Sequence, residues 1–527
     1  MPPETPTVFP MKRSHRAQPL GPLPSGKMFA VAVEDCNVVW AAGERGLWRG
    51  SLSRPFALTA YSEEMVEQPS SLRVLRMVGG VIVELSTVDG AVFRYFPDEE
   101  HWMRGFPEEP AAAFSGRKPT LLLPLHKGAW LAVVEGTLCL VADDGFVEPL
   151  PTDLARPPVQ DVTKAVAGPD GSVWLASRAG VCQLRNGKWE YFAGKRWLNS
   201  DEVNDIAVDP QGRAWIATTE GLCCIEYEPV TLAEKALHFE TVTRRRHIRL
   251  GYCCANTLRT PGAVDDYIHQ ASDNDGLWTA IYVAAESFRY AVTGEAEARQ
   301  FARESALAMC WLEQVTPVPG LIARAAVRHD EEVERSGGEW HESSDAQWLW
   351  KGDASSDELD GHYFAYSVYY DLAADADSAQ TVATTVARIT DHLIDHGYFL
   401  VDVDGEPTNW GFFAPAWLNV TREDQRGLNS LEMLAYLRTA YHICGHSRYM
   451  EHYWELVERH HYALNALNQK ILWPGEVNFS DDELAFLCYY PLLKYEDDPV
   501  VRQMYLLSLE RQWQAVRPQR CPLWNVI

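Results

Sequence analysis

Basic residues are scarce in this 527-residue chain: 47 Lys and Arg stand against 73 Asp and Glu, a formal charge of −26. Such a surface repels phosphates, and counterion release needs the opposite sign, so no nucleic-acid partner is expected. No apolar run approaches the ~20 residues of a spanning helix, so no membrane partner is expected either. The Pro-rich stretch 1–26 carries Lys12, Arg13 and Arg16 but no apolar leader core after them, which points to a cytoplasmic location. The eleven Cys include the pairs Cys223/Cys224 and Cys253/Cys254, yet there is no CxxC and no Cys/His zinc spacing. Reduced structural thiols fit that usage. Trp340-His341-Glu342-Ser343-Ser344-Asp345 is not HExxH, and P-loop and dinucleotide glycine motifs are missing, which removes metalloprotease and nucleotide chemistry. No cofactor is expected.

What the chain does have, in its first half, is a repeat. An apolar strand ending in Trp40, Trp130, Trp174 or Trp215 is followed six positions later by Gly46, Gly136, Gly180 or Gly221, and Gly90 marks a more degenerate copy. These glycines lie about 41 to 46 residues apart, the length of one four-stranded propeller blade. Asp170-Gly171 and Pro210-Gln211-Gly212 supply hairpin turns, and Ser172–Ala176 and Arg213–Ala217 read as buried strands. A lone blade cannot bury both faces, so the copies must pack radially. The fold class that follows is multidomain β + α: a β-propeller of about five blades over 27–229, preceded by an N-terminal extension (1–26). The stretches DGSVWLASRAGVCQLRNGKWEYF (170–192) and QGRAWIATTEGLCCIEYEP (211–229) resemble the repeat of the sensor propellers of two-component regulators. That resemblance implies binding or sensing rather than catalysis, although no kinase or response-regulator sequence follows.

Beyond a linker (230–263) that carries the basic cluster Arg244-Arg245-Arg246-His247, periodicity turns helical. Leu277, Ile281, Ala285, Phe288 and Val292 trace one stripe that Gly294 closes. Helices are expected at 296–314, 360–373, 378–396, 430–444, 449–469, 481–493 and 499–516; Gly397 and Gly445 stop two of them, and Pro499 opens the last. Consecutive hairpins of this kind over 264–527 predict an α/α-toroid-like domain.

Its loops are long and polar, and such loops carry function more often than cores do. The first is 269–276, with Asp273, Asn274 and Asp275 ahead of Trp278. The second, 324–362, holds Arg324, Trp340, His341, Asp353, Asp357, Glu358 and His362, with Tyr363 just after it; its aromatic content predicts an ordered wall rather than a disordered tract. The third, 402–411, ends in Asn409 and Trp410, an amide beside an indole suited to reading and stacking on a sugar ring. Asp273-Asn274-Asp275-Gly276 and Asp402-Val403-Asp404-Gly405 echo a calcium loop, but the twelfth positions are Ala284 and Phe413. The EF-hand pattern therefore fails, and a non-EF calcium site remains as the one metal alternative.

The motifs DNDGLWTAIYVAAESFRYAVTG (273–294), KGDASSDELDGH (351–362) and DGEPTNWG (404–411) resemble bacterial propeller-plus-helical proteins, and that architecture is similar to the rhamnose–glucuronate polysaccharide lyases. The resemblance implies cleavage of a small oligosaccharide or glycoside by β-elimination beside a uronic acid, in a cleft between the two domains. In that chemistry Arg324 would bind the carboxylate, His341 or His362 would take the proton and Tyr363 would return one. Glu358 is a further candidate acid or base, and the substrate contacts would come from Asp273, Asn274, Asp275, Trp278, Trp340, Asp353, Asp357, Asn409 and Trp410. Two other readings stay open: a glycoside hydrolase with paired carboxylates, and a non-catalytic sugar-binding or sensor propeller.

Overall fold

The computed structural model describes residues 8–15, the strands and some of the turns of 27–150, and residues 152–470 and 478–519. The chain divides into two compact units, Met1–Leu237 and His238–Ile527. Among the described residues no helix is long and apolar enough to cross a membrane.

The first unit holds five four-stranded antiparallel sheets, the blades of a β-propeller. Strands Met28–Glu34, Val38–Gly43, Gly46–Ser51 and Ala57–Ser62 make the first blade; Lys164–Ala167, Val173–Ser177, Gly180–Arg185 and Lys188–Phe192 make the fourth. The repeated Trp40, Trp174 and Trp215 are all fully buried. Gly46, Gly180 and Gly221 adopt φ of 114°, 110° and 144°, values a side chain resists, so the glycine of each repeat is required by its turn. Gly90 and Gly136 lie outside the described residues. The turns also repeat in hydrogen bonding: the Ser177 hydroxyl donates to the Gly180 carbonyl at 3.0 Å, and the Thr218 hydroxyl to that of Gly221 at 2.8 Å.

Neighbouring blades bury one another's faces. Met28, Val31, Val39 and Ala41 of the first blade form one apolar cluster with Trp215, Ala217, Leu222 and Cys224 of the fifth, and Trp40 clusters with Leu72 and Val83 of the second. At the join of the first and fifth blades the Val31 amide donates to Asp205 at 2.8 Å, and Lys164 of the fourth blade pairs with the same carboxylate.

The fifth blade departs from the expected boundaries. Its fourth strand is Val8–His15, which pairs antiparallel with Gly221–Thr231 over the whole register from Val8↔Thr231 to His15↔Cys224. The segment expected to precede the propeller as an extension thus joins the last blade to the chain's beginning, satisfying an edge that would otherwise be unpaired. Alternation in 8–15 is interrupted by Pro10 and by charges, so its strand character rests on the partner rather than on its own pattern. Residues 230–263, expected as a linker, contain the end of strand 221–231, the helix α1 (Leu232–Arg246) and the short strands Ile248–Arg249, Tyr252–Cys253 and Asn256–Leu258.

The second unit is helical. Its long helices are α2 (Asp275–Thr293), α3 (Ala296–Gln314), α4 (Ser356–Leu372), α5 (Ala376–Asp395), α6 (Arg426–Cys444), α7 (Phe479–Tyr495) and α8 (Pro499–Val516). Helix α4 is central: it packs against α2, α6 and α7, and nearly every residue from Ser356 to Tyr369 is buried. Gly361 permits the closest approach, because a Cβ there would stand 2.8 Å from Leu277 Cα of α2. Helix α5 buries one stripe only, and the Asp375 carboxylate caps it by accepting from the Ser378 amide at 2.8 Å. Gly294 and Gly445 end α2 and α6 in the left-handed conformation, with φ of 71° and 72°.

Two helix starts lie earlier than their periodicity suggests. Helix α4 begins at Ser356 rather than 360, and α6 at Arg426 rather than 430, because polar residues interrupt the apolar stripe in their first turns, Ser356, Asp357 and Glu358 in one and Arg426 and Asn429 in the other. The stretch 324–355 is ordered as short strands: Ala326–Arg328, Trp340–Glu342 and Trp348–Lys351 form one three-stranded sheet.

Candidate functional site

The three polar loops meet. Asp273 of the first, Arg324, Glu339, Lys351 and Asp353 of the second, and Asp402, Asp404, Glu406, Asn409 and Trp410 of the third line one cleft of about 520 Å³. Every lining residue belongs to the helical unit.

Hydrogen bonds lock the wall. Lys351 reaches the Asp273 carboxylate and the Gly337 carbonyl, and donates to the Ser336 hydroxyl at 2.7 Å. Partial desolvation pushes the Asp273 carboxyl up, but the bonds from Lys351 and Ser336 outweigh it and hold the group below its ordinary value. Arg324 donates from Nε to the Asp353 carbonyl at 2.6 Å, and from Nη1 to the Asp273 carbonyl at 3.1 Å and Asn274 Oδ1 at 3.3 Å. Its guanidinium therefore braces the first loop against the second. Asp353 takes a left-handed φ of 51°, and its carboxylate accepts from the Asn409 backbone amide and from Asn409 Nδ2, both at 2.9 Å. The Asp353 amide in turn donates to Asp402 Oδ2 at 2.8 Å. Trp410 stands 51% exposed at the edge of this lattice.

Of the residues expected to move protons, His362, Tyr363 and Glu358 lie elsewhere, and His341 sits behind the cleft residues Glu339 and Gly352. His362 is fully buried; its Nδ1 donates to the Glu358 carbonyl at 2.7 Å, its Nε2 has no partner, and burial drives its pKa down to about 4. The Tyr363 hydroxyl is bonded to Thr390 at 2.7 Å and its ring stacks on Tyr436, so burial pushes its ionisation far up. Glu358 lies beneath the start of α2, where a Cβ on Gly276 would collide with its Oε2, and burial pushes its carboxyl well above its ordinary value. None of the three lines the cleft. Half-buried His341 stacks on Trp350 at 4.4 Å, with Nε2 3.2 Å from Glu339.

The expected substrate contacts divide in the same way. Asp275 is fully buried and structural: Arg249 Nη2 donates to it at 3.1 Å, and the Ser272 amide and hydroxyl donate to its other oxygen. Trp340 donates to the Ser336 carbonyl at 3.1 Å, with the Arg335 and Lys351 cations over its ring. Asn274 bridges to Asp357 at 3.2 Å, and Trp278 is 41% exposed. The calcium alternative finds its acids engaged by cations, Asp273 by Lys351 and Asp275 by Arg249. Among the described residues no group of three or more His, Cys, Asp or Glu could hold a metal ion.

Glu339, Lys351 and Glu406 line the cleft without having been singled out from the sequence. For Lys351 a signal was present: a single Lys between the alternating Trp348-Leu349-Trp350 strand and Gly352 favours burial with its charge paired.

With this geometry established, similarity to known proteins adds the following. Residues 198–220 match the family model Two component regulator propeller. No curated protein matches the chain. Among solved structures, the WD40 β-propeller domain of Doa1 is 12% identical over 42% of this chain and 97% of its own, with a TM-score of 0.31. Two extracellular domains of putative hybrid two component systems from B. thetaiotaomicron are 15% and 11% identical. They cover 39% and 41% of this chain, with TM-scores of 0.18 and 0.26. The chain spans only 28% and 42% of those two. The sensor-type resemblance of the propeller thus holds for its repeat. The cytoplasmic location expected from the N-terminus is corrected: the propeller repeat matches a two-component regulator family model, which lends no support to a cytoplasmic assignment. The residues 1–26 by themselves fix no compartment.

Proposed function

We propose that this is a non-catalytic, sensor-type protein whose helical unit binds a small saccharide in the three-loop cleft. One observation carries the reading. The cleft wall is a braced lattice of carboxylates, amide and guanidinium with an exposed indole at its edge, while His362, Glu358 and Tyr363 are buried away from it. Elimination beside a uronate needs a base within hydrogen-bond reach of the proton it removes. Hydrolysis needs one carboxyl kept protonated beside an ionised one. In the cleft, Asp273 is instead pulled toward the ionised form and Asp353 is occupied twice by Asn409. Fixed polar groups around an apolar ring face are what recognition of hydroxyls requires. The scaffold supports the same reading: α2, α4, α6 and α7 bury most of their surfaces while α5 and α8 bury single stripes, an inner-and-outer alternation of the toroid-like kind.

Calorimetric titration of the full chain with neutral, amino and uronate-bearing oligosaccharides tests this. Saturable binding is expected, weakened about tenfold or more by Trp410→Ala, with no new reducing ends and no unsaturated-uronate absorbance on long incubation. Turnover of any bound sugar, or the absence of saturable binding across the panel, would overturn it.

A further inference from the structure

The Trp410 indole lines a second, smaller cavity of about 70 Å³, set among the first turns of α4, α6 and α7. Its polar lining is Ser356, Asp357, Gln425, Asn429 and Asp481, with Phe412 among the apolar residues, and the Gln425 amide nitrogen is directed to Asp424 at 3.4 Å. Ser356 and Asn429 are only 7% and 3% exposed. Asn429 Nδ2 donates to the Phe412 carbonyl at 2.9 Å, which fixes the amide and leaves Oδ1 with no donor among the described residues. The Ser356 hydroxyl also has no hydrogen-bond partner there. Asp357 receives one bond, from Asn274 at 3.2 Å, and Asp481 pairs with Lys470.

We infer that this cavity takes a primary ammonium group, so that the ligand of the adjoining cleft is an amino sugar with a free amine. The inference rests on the cleft reading above and adds the ligand's chemical class to it. Hydrogen-bond accounting leads there: carboxylates, an amide oxygen and a hydroxyl offer acceptors in excess, and an ammonium has three donors and no acceptor. The indole of Trp410 supplies the aromatic face that attracts a cation. The cavity, of about 70 Å³, has room for a small polar group such as an aminomethyl-sized ammonium. Net charge agrees. Six carboxylates line the main cleft against two cations, and both of those, Arg324 and Lys351, are already engaged. That field favours a cation and opposes a uronate. The positive ends of the three helices would resist a cation, but Asp357 in the first turn of α4 and Asp481 in the first turn of α7 offset two of them.

The test is calorimetry on the full chain at slightly acid pH with three probes: a β-linked glucosamine tetramer, its N-acetylated counterpart and a glucose tetramer. The free-amine tetramer should bind about tenfold or more tightly than the other two. Asp357→Asn should erase that preference, Ser356→Ala should reduce it, and Trp410→Ala should weaken whatever binds. If Asp357→Asn fails to fold by circular dichroism, Ser356→Ala, which removes one hydroxyl, carries the comparison. Equal binding of the N-acetylated or neutral tetramer would overturn the ammonium assignment and leave the saccharide cleft standing. If none of the three binds while a uronate-bearing oligosaccharide does, the assignment again falls alone. If no oligosaccharide of any class binds, both readings fall.

Discussion

Acid should destabilise the helical unit through His362. The ring is fully buried in α4, with Nδ1 donating to the Glu358 carbonyl, and the backbone groups of Glu358 and Met309 offset only part of what burial costs the charged form. Its pKa is lowered from 6.5 to about 4. Between those values the unfolded chain binds a proton that the folded chain refuses, so this contribution is complete above about pH 6.5 and is lost as pH falls toward about 4. Each unit of the shift corresponds to ~1.4 kcal/mol, and at about pH 5 the loss amounts to ~2 kcal/mol. His362→Asn keeps a donor for the Glu358 carbonyl and removes the titration. Chemical denaturation at about pH 8 and about pH 5 should therefore show a drop ~2 kcal/mol larger for the natural protein than for the variant. His392, lowered to about 4 by burial and by the neighbouring His396, is common to both proteins and cancels. Histidine NMR gives the direct readout: the resonance that vanishes in the variant should titrate near 4. Equal drops in the two proteins, or titration of that resonance at the ordinary histidine value, would refute the burial reasoning and reopen a catalytic role.

Gly361→Ala should cost ~1–3 kcal/mol, seen as a lowered melting temperature, because its Cβ would press on the Leu277 backbone, which cannot rotate away. Asp275→Ala should cost ~3–5 kcal/mol in urea unfolding, since it leaves buried Arg249 with Glu331 as its remaining carboxylate partner; unchanged stability would mean Asp275 faces solvent and is available to ligand. Deleting residues 1–15 should expose the edge strand Gly221–Thr231 and convert the protein to larger species in size-exclusion chromatography. A monodisperse truncated protein of unchanged melting temperature would contradict the strand pairing.

The amino-acid sequence by itself determined the repeat and therefore the propeller. Trp and Gly at a fixed spacing encode a buried position within a strand and a turn of positive φ, both of which are local requirements. It likewise determined α3 and α8 to the residue, where stripe, stop and Pro499 agree, and it marked the three polar loops that line the cleft. Only the tertiary structure decided which polar residues face that cleft. In the run Asp353 to Tyr363, sequence spacing places acids, a histidine and a tyrosine together, yet α4 begins at Ser356 and turns Glu358, His362 and Tyr363 into the core while Asp353 stays at the wall. The fate of Asp275 beside Asp273 depends on Arg249, twenty-six residues away, and the strand at 8–15 on a partner more than two hundred residues on. Such assignments turn on which distant group completes a hydrogen bond or pairs a buried charge, and one-dimensional spacing carries no record of that partner.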